Sequence, residues 1–185
     1  MAGHSKWAQI KRAKAVTDAA RSRVFSRYAR LITLESKKAA GKVDAPALKA
    51  VIDRAKSENM PKDNIERAVA KGISKDAGDL EQVTYECYGP AGAAIVIDAL
   101  TDSRNRTTQE IKLIMTKNDI ELAAPGSALW SFTKSGDGSY APNEPLMEVS
   151  GEDEEKLANL LTLFDEHEDV QTVYTNARGY ESTRE

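Results

Sequence analysis

The sequence predicts an α+β protein: a basic three-helix domain followed by a ferredoxin-like α+β sandwich with a mainly antiparallel sheet. Three observations carry that expectation. Apolar residues recur with a helical period over the first 72 residues and with a period of two beyond residue 80. The charge balance reverses sign between those stretches, and strands then interleave with helices. With 41% hydrophobic residues and 11 glycines among 185, the chain is apolar enough to exclude wholesale disorder.

The first helix is expected over Asp18 to Ala40, where Val24, Tyr28, Leu31 and Ile32 fall on one face. Arg23, Arg27 and Arg30 repeat that spacing about 100° away and form a basic stripe. Gly41 is a natural stop. Asp44 is placed to cap a second helix with Pro46 in its first turn and Leu48, Val51, Ile52 and Ala55 on its apolar face. A third, short helix carries Ile65, Ala68 and Val69 from Pro61 to Gly72. Residues 73–80 are polar and form the expected linker.

Beyond it, Val83, Tyr85 and Cys87 alternate with polar neighbours, Gly89-Pro90-Ala91-Gly92 reads as a turn, and Ala93 to Leu100 reads as a buried strand. A helix over Arg106 to Lys117, a strand over Ala128 to Thr133, a turn at Ser135 to Ser139 and a strand over Leu146 to Val149 follow. A helix over Glu152 to Glu166 and a last strand over Val170 to Tyr174 complete the set. The expected organisation is therefore a nucleic-acid-binding domain at 1–72, a linker at 73–80, an acidic α+β domain at 81–178 and a tail at 179–185.

The net charge of -3 conceals its parts. Residues 1–78 hold 18 Lys+Arg against 8 Asp+Glu, and residues 79–185 hold 8 against 21. Such asymmetry points to a basic binding half joined to an acidic half. The longest apolar stretch, Ala91 to Ile97, is far short of the roughly 20 residues a membrane span needs. No secretory signal opens the chain, and a lone Cys87 fits a reducing cytosol. One Cys and two His exclude a Cys-based zinc site. No phosphate loop, dinucleotide fingerprint or nucleophile elbow occurs, so the expectation is no enzyme, cofactor, metal or small-molecule substrate. His167 lies among acids and reads as a solvated imidazole.

Chemistry is concentrated in the basic N-terminus. Lys6, Lys11, Arg12, Lys14, Arg21, Arg23, Arg27 and Arg30 fall within 25 residues containing a single acid, Asp18. If about 5–8 of them neutralise phosphates, log K falls with log salt at a slope of roughly -4 to -7. Trp7 suits either stacking on a base or partner, or packing back on the bundle. Arg104 and Arg106 stand at a helix start, where the macrodipole favours acids. Either the loop holds an anion between guanidinium forks and free N–H groups, or Asp102 caps the helix and pairs with one arginine. The acidic run Asp165 to Asp169 suits repelling nucleic acid or docking against the basic half.

The opening Ala2-Gly3-His4-Ser5-Lys6-Trp7 with Ile10-Lys11 resembles the start of the YebC/PmpR family. The resemblance recurs in Asn59 to Ala68, Tyr88-Gly89-Pro90, Leu100-Thr101-Asp102 with Arg104-Asn105-Arg106-Thr107, Gly126-Ser127 with Phe132, and Asp169 to Ala177. It implies an N-terminal helical domain, α+β domains and a non-enzymatic role in gene expression. Family members are described as DNA-binding transcriptional regulators or as translation factors that relieve ribosome stalling at proline-rich stretches. The matched positions are His4, Lys6, Trp7, Lys11, Lys14, Arg104 and Arg106. Ser103 and Cys87 stand where the family usually has Asn and Gly. Between Phe132 and Asn143 the chain is several dozen residues short, where the family typically inserts a further α+β domain.

The resulting expectation is a cytoplasmic nucleic-acid-binding regulator, foremost a ribosome- or RNA-associated translation factor. The alternatives are a transcriptional regulator on promoter DNA and a protein-interaction module whose basic and acidic halves bind each other. The expected nucleic-acid contacts are His4, Lys6, Trp7, Lys11, Arg12, Lys14, Arg21, Arg23, Arg27, Arg30, Arg104 and Arg106.

Overall fold

Thr17 opens the first long helix: its hydroxyl accepts from the Ala20 N–H at 3.2 Å, and α1 runs Asp18–Lys38. The structure is a computed structural model and describes residues 6, 9–10, 17–74, 78–136 and 138–181. Helix α2 spans Pro46–Ser57, with Ala45 rather than Asp44 at its cap and no side-chain bond there. The residue before a proline is pushed to extended backbone, which fixes Ala45 as the boundary, and Pro46 has no N–H to satisfy. Helix α3 spans Lys62–Ile73.

These three helices enclose a small core of Ile32, Leu48, Ile52, Ala55, Met60, Ile65 and Ala68, with Phe25, Tyr28 and Val69 resting on it. Contact between α1 and α3 is unusually close. The Thr33 hydroxyl donates to the Ala29 carbonyl at 2.7 Å, 3.2 Å from the Ala68 carbonyl, and the Ser36 hydroxyl donates across to Val69 at 2.8 Å. A Cβ on Gly72 would lie 2.5 Å from the Thr33 carbonyl oxygen. Glycine is required there by the approach of the helices.

The remaining elements are β1 (Glu81–Tyr88), β2 (Ala94–Thr101), α4 (Arg104–Lys117), β3 (Phe132–Lys134), β4 (Tyr140–Pro142), α5 (Glu152–Asp165) and β5 (Val170–Thr175). Strands β1, β2 and β5 form an antiparallel sheet in that order, with Tyr85 opposite Ile97 and Ile97 opposite Val173. Strand β2 is buried along its whole length. One side chain set, Ile95, Ile97 and Ala99, joins Ile111 and Met115 of α4 and Leu157, Leu160, Leu161 and Phe164 of α5. The other set, Ala94 and Val96, packs with Ala128, Phe132 and Tyr174. Helices thus cover one face, and the β3–β4 hairpin covers the other.

Three sequence expectations change here. The strand over Ala128 to Thr133 is instead a 3₁₀ turn at Leu129–Ser131 leading into β3. The cause is Glu86, whose buried carboxylate accepts N–H bonds from Gly126, Ala128 and Leu129 at 2.6, 2.7 and 2.8 Å and curls that segment. Alternation placed Glu86 outward; the second covered face buries it. Leu146 to Val149 makes only an isolated parallel bridge, Met147 to Ala177. Helix α4 begins at Arg104, two residues before the expected start. At residues 135–139 the Ser135 N–H donates to the Ser139 carbonyl at 2.8 Å, the expected turn between β3 and β4.

Cys87 is fully buried, and burial pushes its thiol up to about 12, so it behaves as a small apolar residue. Among the described residues no helix is long and apolar enough to cross a membrane.

Two substitutions test these contacts. Gly72→Ala should destabilise the protein by about 1–3 kcal/mol, read as a lowered thermal midpoint. Gly136→Ala, whose Cβ meets nothing within 4 Å, should leave the midpoint unchanged. Glu86→Ala strands buried N–H groups and should cost at least about 2 kcal/mol in urea denaturation.

Candidate nucleic-acid interface

Of the expected contacts, His4, Trp7, Lys11, Arg12 and Lys14 lie outside the described residues. Lys6 is exposed, and its ammonium sits 2.5 Å from Glu154 Oε1 in the first turn of α5. The hydrogen bond from Lys6 holds the Glu154 carboxyl below its ordinary range and raises the lysine. Nearby, Ile10 packs against the larger apolar core. Arg21 is exposed and lies 3.6 Å from Asp18 one turn earlier.

The basic stripe of α1 has a definite counterpart. Its helical spacing, visible in the sequence, presents Arg23, Arg27 and Arg30 together to the C-terminal end of α5 and the loop beyond. Arg23 approaches Glu166 at 3.7 Å, and Arg27 lies 3.4 Å from Asp165 Oδ1 while donating to the Asp165 carbonyl. Arg30 donates to the Glu168 carbonyl and pairs with Asp169 Oδ1 at 2.7 Å. Carbonyls at a helix C-terminus carry partial negative charge and add to the carboxylates in holding these guanidiniums. The acidic run Asp165 to Asp169 is therefore docked on the basic half.

The arginine loop converges on the same carboxylate. Arg106 reaches Asp169 Oδ2 at 2.8 Å and Asp102 at 3.1 Å, with Glu110 at 3.9 Å. Thr107 donates its hydroxyl to Asp169 Oδ2 at 2.6 Å and lies 2.8 Å from the Thr101 hydroxyl. Thr101 in turn accepts the Ser103 N–H at 2.9 Å. Arg104 points elsewhere, to Glu81 at 2.9 Å. The geometry bears on the capping reading of this loop. Asp102 pairs with Arg106, yet the cap position is Ser103 and no side chain caps the helix. An anion is held at the start of α4, and it is the protein's own Asp169.

Only 2% of the Asp169 side chain is exposed. Burial works to raise its carboxyl, but the bonds from Thr107 and Arg106 and the charges of Arg30 and Arg106 outweigh that and hold it below the ordinary aspartate range. The same pair raises Arg106. His167 is mostly buried rather than solvated: Nδ1 accepts the Asp169 N–H at 3.2 Å, which leaves Nε2 facing Glu110 at 3.0 Å. Glu110, His167 and Asp169 lie close enough to share a cation, but the guanidiniums of Arg30 and Arg106 already neutralise that carboxylate.

Asp169, Thr107 and His167 were not among the expected site residues. The acidic run signalled docking as one option, but which of its five residues is buried at the junction has no counterpart in local pattern.

Family models match most of the chain: the TACO1/YebC protein N-terminal domain over residues 5–75, and the TACO1/YebC second and third domain over residues 80–144. A probable transcriptional regulatory protein of Francisella tularensis subsp. mediasiatica is 43% identical, covering 100% of this chain and 75% of the relative. A protein of the same description from Chlorobium luteolum is 41% identical over 100% of this chain and 74% of its own length. Among solved structures, a conserved hypothetical protein from Aquifex aeolicus superposes with a TM-score of 0.77 at 26% identity, covering 87% of this chain and 91% of that chain.

A lowered folded pKa means that the docked state favours ionised Asp169. Its contribution is fully present above the ordinary aspartate value of about 4 and is lost as pH falls through the lower folded value. Asp169→Asn should cost about 3–5 kcal/mol at pH 7. By urea denaturation, the gap between variant and parent should be constant from pH 6 to 8 and shrink below pH 4.

Proposed function

Because the chain belongs to the TACO1/YebC family, we propose that it is a regulator of gene expression that binds nucleic acid through its basic helical half and acts foremost on RNA, as a ribosome-associated factor. The observation that supports RNA over duplex DNA is the docked stripe. Helix α1, with 21 residues, is the longest of the described helices, and its Arg23, Arg27 and Arg30 face is turned into the protein. In this arrangement that face is not offered to a major groove. Helix α3 is the other candidate reader, and it mixes Lys62, Arg67 and Lys71 with Asp63 and Glu66, Lys62 lying 3.5 Å from Glu66. Positive charge outside a reading helix suits irregular RNA, whose unstacked bases and backbone are bound without groove entry.

The basic residues then divide by role. Lys6, Lys11, Arg12 and Lys14, with His4 and Trp7, are the residues assigned to first contact with phosphate and bases; Arg21 and Arg104 lie on the exposed surface. Arg23, Arg27, Arg30 and Arg106 reach nucleic acid by exchanging internal carboxylates for phosphates, as do Lys6, Arg21 and Arg104 from more exposed pairs. A transcriptional role on promoter DNA is the second reading, supported by the Francisella and Chlorobium relatives, which are described as probable transcriptional regulatory proteins.

Ribosome co-sedimentation at moderate salt separates the two. The expected result is recovery with ribosomes, at least tenfold reduced on deleting residues 1–16. A protein that stays in the supernatant yet shifts one promoter fragment sequence-specifically supports the second reading instead.

A further inference from the structure

A groove of about 450 Å³ runs between α1 and α3 where the helical half meets the mixed half. Its volume lies within the roughly 300–1,000 Å³ of small-ligand sites and is too small for a duplex. Thr33 and the small residues Ala29 and Ala68 form part of its lining, where α1 and α3 draw together. Two features set it apart from the docked arginine stripe.

The first is charge. Arg67 and Lys71 of α3 line the groove and are exposed, and neither has a carboxylate partner among the described residues. Arg67 instead donates to the Asp63 carbonyl at 3.2 Å and to the Asn64 amide oxygen. Arg30 also lines it but is held by Asp169, and the carboxylate lining it, Asp102, is paired with Arg106 at 3.1 Å. The remaining electrostatic demand is for an anion beside Arg67 and Lys71. The second feature is hydrogen-bonding capacity next to an aromatic ring: Ser22, Ser26 and Asn64 line the groove with Phe25. A phosphate, a sugar hydroxyl and a flat base match those three kinds of lining in turn.

We infer that this groove receives one unpaired nucleotide of an RNA strand, its phosphate against Arg67 and Lys71 and its ribose and base among Ser22, Ser26, Asn64 and Phe25. The inference rests on the nucleic-acid reading above and adds a site on α3 that is separate from the N-terminal arm. Hydroxyl-rich lining favours ribose, whose 2′-OH both donates and accepts. Asp102 of the mixed half also lines the groove, so the site lies at the junction of the two halves.

The test is fluorescence anisotropy of the full chain with a labelled ten-nucleotide oligouridine and, in parallel, with a labelled RNA duplex of equal length. Ser26→Trp fills the groove from an exposed position without changing charge, and Arg67→Glu with Lys71→Glu reverses the charge of its rim. Thermal melting monitored by circular dichroism verifies that both variants fold. Expected is at least tenfold weaker oligouridine binding by each variant, with duplex affinity within twofold for Ser26→Trp. Oligouridine binding by folded Ser26→Trp within twofold of the parent overturns the groove while leaving binding through the arm intact. Equal loss for single strand and duplex also overturns it. A parent protein that binds neither RNA overturns both readings together.

Discussion

One carboxylate ties the molecule together. Asp169 precedes β5, and its main-chain carbonyl accepts the Leu100 N–H of β2 at 2.8 Å. Its side chain meets Arg30 from α1 and both Arg106 and Thr107 from α4. A buried anion needs compensation, and here it comes from three side chains on two separate helices, α1 and α4. Arg30 of α1 and Arg106 of α4 converge on this group, and His167 takes the main-chain N–H of the same residue at 3.2 Å.

The charge asymmetry acquires a physical meaning through that junction. Attraction between a basic and an acidic half is long-ranged and unspecific until particular groups are desolvated together. At the exposed end, Lys6 with Glu154 is screened and contributes little. At the buried end, Arg27 and Arg30 against Asp165 and Asp169 are partly shielded from water and set the geometry. A ligand rich in phosphate competes with the internal carboxylates for the same arginines, so salt acts on both the internal contact and the external one. The groove beside Arg67 and Lys71 stands outside this competition, because among the described residues neither of these two side chains is paired with a carboxylate.

The sheet shows how far side-chain pattern reads a strand. Tyr85 and Cys87 face the α4 and α5 core as alternation requires. Glu86, between them, would face water in a sheet covered on one side. Here the second face is covered by the segment that Glu86 itself folds, through three N–H bonds to its carboxylate. That segment belongs to the distant residues 126–129, so no local rule for β1 contains it.

Sequence alone determined what depends on neighbours along the chain: the helical period of α1, α2 and α3, the buried run of β2, the turn between β3 and β4 and the partition of charge. The spacing of Arg23, Arg27 and Arg30 was equally plain, because a helix of known pitch fixes which residues share a face. Tertiary structure decided what those faces meet. It turned the stripe onto Asp165 to Asp169, selected Asp169 as the buried member of five acidic or polar residues, filled the anion position at α4 from within, and opened a groove between α1 and α3. Each of these depends on residues separated by tens of positions, whose desolvation is settled only when the halves pack.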